Sequence, residues 1–367
     1  MNVPLVDLRA QYEALRPEID AAVAGVFERG DFVLGESVAA FERAFAQWVG
    51  ARHALGVASG TDAVEIALRA AGVEAGDEVL LPANTFVASA IGCLRAGARP
   101  VFVDCDARTH LIDLSLAARA VTPRTTAVLA VHLFGRLVEP GRLRDFASSH
   151  GLRIVEDAAQ AHGARCPEGG AGTIGAAAAW SFYPSKNLGA AGDAGAVTTG
   201  DDGAAARIAE FRNYGSAAKY EHPRFGVNSR LDSLQAAVLG VKLRHLDAEN
   251  RARRALVAGY RARLGGMPGI VLPEDPGGER HVWHLFVVRV PRRDAVLRAL
   301  RDAGIGAAVH YPEPLPFLGA FASAGAKEGD FPTALRLSRE ILSLPLYPEM
   351  TPPQLDAVCQ RLADALS

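Results

Sequence analysis

The spacing of apolar residues along the chain changes near residue 53. In the first 50 residues, apolar side chains recur at helical spacing, which predicts two amphipathic helices. Between residues 53 and 157, short apolar segments alternate with amphipathic helical segments. Such alternation is typical of an α/β fold with a mainly parallel sheet and helices on both faces. The predicted strands are residues 53–57, 78–81, 100–104, 127–133, 153–157, 179–183 and 195–199.

The pattern in the last third of the chain is different. Residues 231–264 form one long helical segment, and the residues after it predict a strand, two helices and proline-rich loops. We therefore expect two domains. The large domain comprises residues 1–245, including an N-terminal helical arm of about residues 1–30, and a smaller C-terminal α+β domain comprises residues 246–367.

Composition and charge narrow the class of protein. The chain has 367 residues, 49% of them hydrophobic, and a formal net charge of -2, which gives no electrostatic reason to expect nucleic acid or membrane binding. The longest apolar runs are too short to cross a bilayer, and residues 1–7 lack the features of a secretory signal. The four cysteines form no C-x-x-C pair, so reduced thiols in a cytoplasmic protein are the simplest interpretation.

The candidate chemistry centres on Lys186, one of only four lysines. It follows the predicted strand 179–183 and precedes a segment rich in glycine and alanine. Apolar surroundings disfavour the charged form of an amine and lower its pKa. A neutral amine can form a Schiff base with an aldehyde. The alternative is a loop lysine whose ammonium reaches solvent.

A candidate anion site lies at residues 59–61, Ser-Gly-Thr, where the first predicted strand ends and a helix begins. The free N–H groups and the positive dipole end of a helix favour an anion such as a phosphate. Gly60 would let the backbone approach that anion closely. The alternative is ordinary N-capping of the helix by Ser59 or Thr61.

A candidate acid lies at the end of the fifth predicted strand, where Asp157 is followed by Gln160. A carboxylate at this edge of the sheet can hold a protonated pyridine nitrogen, and Gln160 can donate a hydrogen bond to a phenolate oxygen. The alternative role for Asp157 is to cap a helix. A metal site with His162 is not favoured, because no ligand spacing such as H-E-x-x-H is present.

Residues 170–175 match the dinucleotide fingerprint G-x-G-x-x-G. They follow a loop and lead into a strand, whereas the true fingerprint follows a strand and opens a helix. We therefore reject a dinucleotide site at this position. Asp104 and Asp106 likewise fit a strand end with a turn better than a metal site.

An aldehyde-binding lysine, an anion site, an acid for a ring nitrogen and a strand-end aromatic residue, Phe86, together meet the needs of pyridoxal 5′-phosphate (PLP). Over nearly its whole length the chain also resembles the DegT/DnrJ/EryC1/StrS family of sugar aminotransferases, which has the aspartate-aminotransferase fold (PLP fold type I). The segments that carry the resemblance are residues 3–8, 30–35, 59–63, 82–88, 156–163, 181–189, 226–232 and 310–312.

The resemblance implies roles for individual residues. Lys186 would bind the PLP aldehyde and transfer protons, and Asp157 would hold the pyridinium nitrogen. The other implied cofactor contacts are Phe86 on the ring face, Gln160 at the ring hydroxyl, and Gly60, Thr61 and Ser181 at the phosphate. Asn228 of the partner subunit would also reach the phosphate, so a homodimer would share its active sites. The implied substrate contacts are Tyr183, Lys219, His310 and Tyr311.

The implied reaction transfers an amino group from L-glutamate to a nucleotide-linked keto-deoxy sugar by way of pyridoxamine 5′-phosphate. Residues 156–163 and 189–195 are most similar to enzymes that aminate C3 of dTDP-3-keto-6-deoxyhexoses. Lysine at position 186 favours transamination, since a dehydrating branch of the family has histidine there. The alternatives are C4 amination of a dTDP- or UDP-4-keto sugar and a non-catalytic PLP-binding regulatory protein. Many relatives have a histidine soon after residues 310–312, and its absence predicts a different sugar end of the pocket.

Overall fold

The computed structural model describes residues 2–218 and 220–367. The helices and strands, in chain order, are α1 (Leu8–Arg29), α2 (Glu36–Val49), β1 (His53–Val57), α3 (Gly60–Ala70), β2 (Glu78–Pro82), α4 (Val87–Arg95), β3 (Arg99–Val103), α5 (Leu114–Ala120), β4 (Thr125–Val131), α6 (Pro140–His150), β5 (Arg153–Asp157), β6 (Arg165–Cys166), β7 (Gly169–Gly170), β8 (Ala177–Ser181), β9 (Gly195–Thr199), α7 (Asp202–Phe211), α8 (Ser233–Leu264), β10 (Phe286–Arg289), α9 (Arg293–Asp302), α10 (Pro332–Glu340), β11 (Ile341–Leu344) and α11 (Pro352–Leu366). None of the described helices has both the length and the apolar character needed to cross a bilayer.

The main sheet has seven strands in the order β1-β9-β8-β5-β4-β2-β3. Parallel pairs join β3 to β2, β2 to β4, β4 to β5 and β5 to β8. Strand β9 is antiparallel to both of its neighbours, β8 and β1. The mainly parallel sheet predicted from the sequence is confirmed, and each predicted strand lies within two residues of its observed bounds. The carboxyl ends of the parallel strands therefore meet at one edge of the sheet.

Helices cover both faces of this sheet. Neighbouring side chains of a strand point to opposite faces, so each face of the sheet contributes to its own buried core. Leu80 of β2 belongs to a buried core that includes Phe45 of α2 and Leu239 of α8. The next residue, Leu81, belongs to a second core that includes Ile66 of α3. The sheet is thus the middle layer of three.

Helix α8 connects the sheet to a separate C-terminal core. Leu239, near its start, packs beneath the sheet. Tyr260, near its end, packs with Phe286 of β10 and Leu342 of β11, which pair antiparallel. The predicted domain boundary between residues 245 and 246 falls inside this continuous helix, and the division into two domains stays a prediction.

Asp104, which follows β3, has a structural role. Its carboxylate accepts hydrogen bonds of 2.8 Å each from the backbone N–H groups of Thr333 and Ala334, in the first turn of α10. These contacts satisfy N–H groups that have no partner within the helix. Asp104 therefore joins the sheet to the C-terminal part of the chain, in agreement with its interpretation as a strand-end residue.

Candidate active site

A cavity of about 460 Å³ lies at the carboxyl ends of the parallel strands. Its walls come from the turns after β1, β2, β5 and β8, and from residues 284–285 and 310–311 of the C-terminal part. This is the edge of the sheet at which ligands are expected. The predicted site residues that line it are Gly60, Thr61, Phe86, Asp157, Gln160, Ser181, Tyr183, Lys186, His310 and Tyr311.

Gly60 brings the start of α3 against the end of β8. A Cβ atom at this position would lie 2.5 Å from Cβ of Ser181, so only glycine fits without a shift. Ser59 caps the helix by accepting a hydrogen bond of 3.1 Å from the N–H of Asp62. The N–H groups of Gly60 and Thr61 have no partner within the helix and, with the hydroxyl of Ser181, form a site that fits a phosphate. Capping and anion binding are therefore compatible here.

Asp157 is a buried carboxylate at the cavity wall. Its Oδ2 accepts a hydrogen bond of 2.7 Å from the hydroxyl of Ser89 in α4, and its Oδ1 accepts one of 3.2 Å from the N–H of Ala159. The Ser89 hydroxyl lies 2.9 Å from that of Thr85. Turns rather than a helix follow β5, so the helix-cap interpretation of Asp157 is wrong. The carboxylate is oriented by α4 and is available to a ligand in the cavity.

Glu156, the residue before Asp157, is fully buried and anchors the glycine-rich loop 170–175. Its carboxylate accepts hydrogen bonds from the N–H groups of Gly172 at 2.8 Å, Ile174 at 2.9 Å and Gly175 at 2.9 Å. His132 accepts from the N–H of Val138 at Nδ1, so its proton lies on Nε2 and is donated to Glu156 over 3.0 Å. The string that resembles a dinucleotide fingerprint is thus folded around a carboxylate of the protein itself.

Lys186 lines the same cavity as Asp157. Burial lowers the pKa of its amine to about 8, and the nearby negative charge of Asp157 acts in the opposite direction. An amine with this pKa has a useful neutral fraction near neutral pH, so it can act as a nucleophile and can also carry a proton. The structure therefore places the amine in the cavity rather than on the protein surface.

Aromatic rings and an amide form another part of the wall. The ring centroids of Phe86 and Tyr311 lie 5.2 Å apart. Oε1 of Gln160 accepts a hydrogen bond of 2.6 Å from the N–H of Phe134, and Nε2 donates one of 3.2 Å to the Tyr311 hydroxyl. Because Nε2 carries two hydrogens, the amide can also donate to a ligand.

Two histidines from the C-terminal part close the cavity. Nδ1 of His284 lies 3.2 Å from Oδ1 of Asn187, and Nδ1 of His310 lies 2.8 Å from the hydroxyl of Ser343. Burial lowers the pKa of both histidines, to about 4 for His310, and the charge of Lys186 acts in the same direction. Both imidazoles are therefore neutral at pH 7, and they can exchange hydrogen bonds with hydroxyl groups of a ligand.

Two predicted site residues, Asn228 and Lys219, are not among the described residues that line the cavity. Asn228 is exposed and does not line the cavity of its own chain. Lys219 lies outside the described residues. Tyr183 is 55% exposed and stands at the opening of the cavity.

Sequence reasoning missed several residues that line the cavity or hold its walls. The missed residues are Thr85, Ser89, His132, Asp193 and His284. The local signal for Ser89 is its place in the first turn of α4, four positions after Thr85. No local pattern shows that this turn meets Asp157, which is 68 positions away in the chain.

A larger cavity, of about 610 Å³, is lined by none of the predicted site residues that the structure describes. Three of the four arginines that line it form ion pairs, as in Arg108 with Glu274 at 3.2 Å and Arg280 with Glu139 at 3.1 Å. The balanced charges give no reason to place chemistry there. Within the described residues, no cluster of three or more histidine, cysteine or acidic side chains could hold a metal ion.

Known proteins resemble this chain over nearly its whole length. A family model described as the DegT/DnrJ/EryC1/StrS aminotransferase family matches residues 13–363. A Streptomyces venezuelae protein named dTDP-3-amino-3,4,6-trideoxy-alpha-D-glucose transaminase is 47% identical over 361 residues, which are 97% of this chain and 95% of that protein.

Solved structures agree with the sequence comparison. The crystal structure of S. venezuelae DesV in complex with a ketimine intermediate matches with a TM-score of 0.96 and 46% identity, and covers 99% of this chain and 98% of its own. A Bacillus subtilis protein, NtdA, with bound cofactor PMP matches with a TM-score of 0.89 and 31% identity, over 99% of this chain and 83% of its own. The fold class predicted from the sequence is confirmed.

Proposed function

Because the chain belongs to the DegT/DnrJ/EryC1/StrS aminotransferase family, we propose that it is a PLP-dependent enzyme that transfers an amino group from L-glutamate to C3 of a dTDP-linked 3-keto-6-deoxyhexose. The observation that carries the proposal is that Lys186 and Asp157 line one cavity together with the anion site at the start of α3. The choice of C3 and dTDP is supported by the 47% identity to a transaminase named for a dTDP-linked 3-amino sugar.

The residues of the cavity fit PLP. When bound, PLP supplies an aldehyde that accepts the amino group and a pyridine ring that withdraws electrons from the reacting carbon. Lys186 would hold the aldehyde carbon, and Asp157 would hold the ring nitrogen and keep it protonated. The remaining contacts would be Gly60, Thr61 and Ser181 with the phosphate, Phe86 with the ring face, and Gln160 with the ring hydroxyl.

The chain's own groups would then guide the proton transfers. With a pKa of about 8, Lys186 can remove a proton from the carbon of the amino donor and return one to the sugar carbon. Burial of the cavity wall limits the access of water to these steps. Tyr183, His310 and Tyr311 would bind the nucleotide sugar, and Lys219 is proposed as a further contact.

We also propose that the enzyme is a cytoplasmic homodimer with shared active sites, in which Asn228 of the partner subunit reaches the PLP phosphate. Phe27, Phe32 and Val33 are large apolar residues exposed near one another, with the two rings 5.5 Å apart. Exposed apolar patches of this kind are typical of interfaces. The four cysteines are all free thiols, which suits a reducing compartment.

The test is to load the enzyme with pyridoxamine 5′-phosphate and offer it a panel of 3-keto and 4-keto sugars linked to dTDP or UDP. We expect amination of the dTDP-3-keto-6-deoxyhexose, identified by mass spectrometry and by NMR assignment of the new C–N bond. Exclusive amination of 4-keto sugars would contradict the C3 assignment. A holoenzyme whose absorption spectrum does not change on addition of L-glutamate would contradict the proposed amino donor.

A further inference from the structure

We propose that Ser89 is a positioning residue for Asp157, and that Thr85 orients Ser89 for this role. The first turn of α4 would then control how the carboxylate holds the ring nitrogen of PLP. This inference rests on the proposed function, since it requires PLP in the cavity.

The direction of the hydrogen bonds follows from the chemistry of the three groups. An ionised carboxylate has no hydrogen to donate, so the single hydroxyl hydrogen of Ser89 points to Oδ2 of Asp157 over 2.7 Å. The oxygen of Ser89 is then an acceptor, and Thr85 donates to it over 2.9 Å. Successive hydrogen bonds polarise one another, and a bond to a charged acceptor is stronger than one between neutral groups.

Water does not compete for these contacts. The side chains of Ser89 and Thr85 are 0% and 2% exposed. A serine within a helix commonly donates to a carbonyl of the preceding turn. Ser89 instead donates to a carboxylate on a central strand of the sheet, 68 positions away. Its hydroxyl is thus directed at the site rather than at its own helix.

The same turn also positions a second predicted cofactor contact. Phe86 is the N-cap residue of α4, and its carbonyl accepts a hydrogen bond of 3.1 Å from the backbone N–H of Ser89. Thr85, Phe86 and Ser89 therefore form one hydrogen-bonded unit. This unit links Phe86, the proposed contact of the ring face, to Asp157, the proposed contact of the ring nitrogen.

Loss of the Ser89 hydroxyl should leave the ring nitrogen of PLP less protonated. Hydrogen bonds donated to a carboxylate stabilise its charged form. Without that donor, Asp157 would take a larger share of the proton that it holds jointly with the ring nitrogen, and it would also be less firmly oriented. Both effects weaken the hold on a protonated ring.

The experiment compares Ser89→Ala, Thr85→Val and Thr85→Ser with the wild-type enzyme. The matched control is Ser338→Ala, because Ser338 is also a buried helical serine but donates to the carbonyl of Leu335 over 2.9 Å. Two properties are measured: the dissociation constant of pyridoxamine 5′-phosphate, and the ¹⁵N NMR resonance of the ring nitrogen in holoenzyme made with ¹⁵N-labelled PLP. Neither measurement requires a sugar substrate.

For Ser89→Ala we expect affinity to fall about tenfold, as for loss of a hydrogen bond to a charged group, and the ¹⁵N resonance to move toward that of unprotonated pyridine. Thr85→Val should change both properties in the same direction by a smaller amount. Thr85→Ser and Ser338→Ala should match the wild type. A role limited to packing would lower thermal stability without moving the ¹⁵N resonance.

A folded Ser89→Ala enzyme with wild-type affinity and ¹⁵N resonance would overturn the inference while leaving the proposed function intact. If Ser89→Ala does not fold, Thr85→Val decides by the same two measurements. Failure of the wild-type chain to bind PLP at all would instead contradict the proposed function.

Discussion

Lys186 is subject to two opposing effects. Burial favours the neutral amine, whereas the negative charge of Asp157 favours the ammonium, and burial is the larger effect. The resulting pKa of about 8 lets one amine serve as nucleophile and as proton carrier near neutral pH. A lysine in water, with a pKa of about 10.4, would be almost wholly protonated under the same conditions.

We expect Lys186 of the cofactor-free enzyme to show this pKa in its reactivity toward formaldehyde and a hydride reductant. The rate of reductive methylation depends on the neutral fraction, so it should fall about tenfold for each pH unit below the pKa and level off above it. Mass spectrometry of the peptide that contains Lys186, over roughly pH 6.5 to 11, gives the midpoint, which we expect at about 8.

Asp157→Asn provides the matched comparison. The carboxylate raises the pKa of Lys186, so removing its charge should move the midpoint below that of the wild type. Asp356→Asn, which alters an exposed carboxylate on α11, should leave the midpoint unchanged. A wild-type midpoint near the value of about 10.4 for free lysine would show that the amine lies in water, and the argument for its dual role would fail.

At the scale of elements, β5 carries two carboxylates with separate tasks. Asp157 borders the cavity, whereas Glu156 is enclosed by the loop 170–175 and by His132. Adjacent residues of a strand point to opposite faces, so one strand end can serve both purposes. A buried carboxylate that accepts several hydrogen bonds is stable only while all its donors are in place.

Glu156→Gln should lower the free energy of unfolding by about 3 kcal/mol. The glutamine has nearly the same shape, but its NH₂ group would face N–H donors of the loop and leave them without an acceptor. Urea unfolding followed by circular dichroism measures the change. The control is Glu139→Gln, which removes a half-exposed ion pair with Arg280 and should cost less than about 1 kcal/mol. Equal effects of the two substitutions would contradict the anchoring role of Glu156.

The sheet could be predicted from the sequence because strand patterns and glycine-rich turns are local signals. The residues at the strand ends also indicated PLP, with Lys186 and Asp157 as its contacts, and the family resemblance added the sugar substrate and the expected contact of Asn228. The partners of Glu156 could not be predicted, since its backbone donors lie 16 to 19 positions further along the chain in a string that looks like another motif. The contact between Ser89 and Asp157 likewise depends on how α4 packs against β5, which no local pattern specifies.

At the scale of the whole molecule, the cavity carries little positive charge, although the proposed ligands are anions. Among the described residues that line it, Lys186 is the only lysine or arginine, and Asp157 and Asp193 are acidic. PLP carries a phosphate, L-glutamate two carboxylates and a dTDP-sugar a diphosphate. Neutral hydrogen-bond donors can also hold these anions, and the amide of Asn228 from the partner subunit would supply one of them.

Mixing two impaired variants tests this sharing of sites. Lys186→Ala lacks the reactive amine, and Asn228→Ala should bind PLP about 10- to 100-fold more weakly, as expected for loss of a hydrogen bond to a charged group. After subunit exchange, half of the dimers are hybrids, and one of the two sites in each hybrid has both native residues. At limiting PLP, about a quarter of the wild-type activity should therefore return.

The same mixture assayed before subunit exchange is the control, and it should show only the mean of the two variants. If Asn228 acted within its own chain, each site in a hybrid would still lack one of the two residues, and exchange would restore nothing. Activity that stays at the mean after exchange, with hybrids verified by native mass spectrometry, would therefore contradict a shared active site. Recovery would place the amine and the phosphate contact of one catalytic centre on two different subunits.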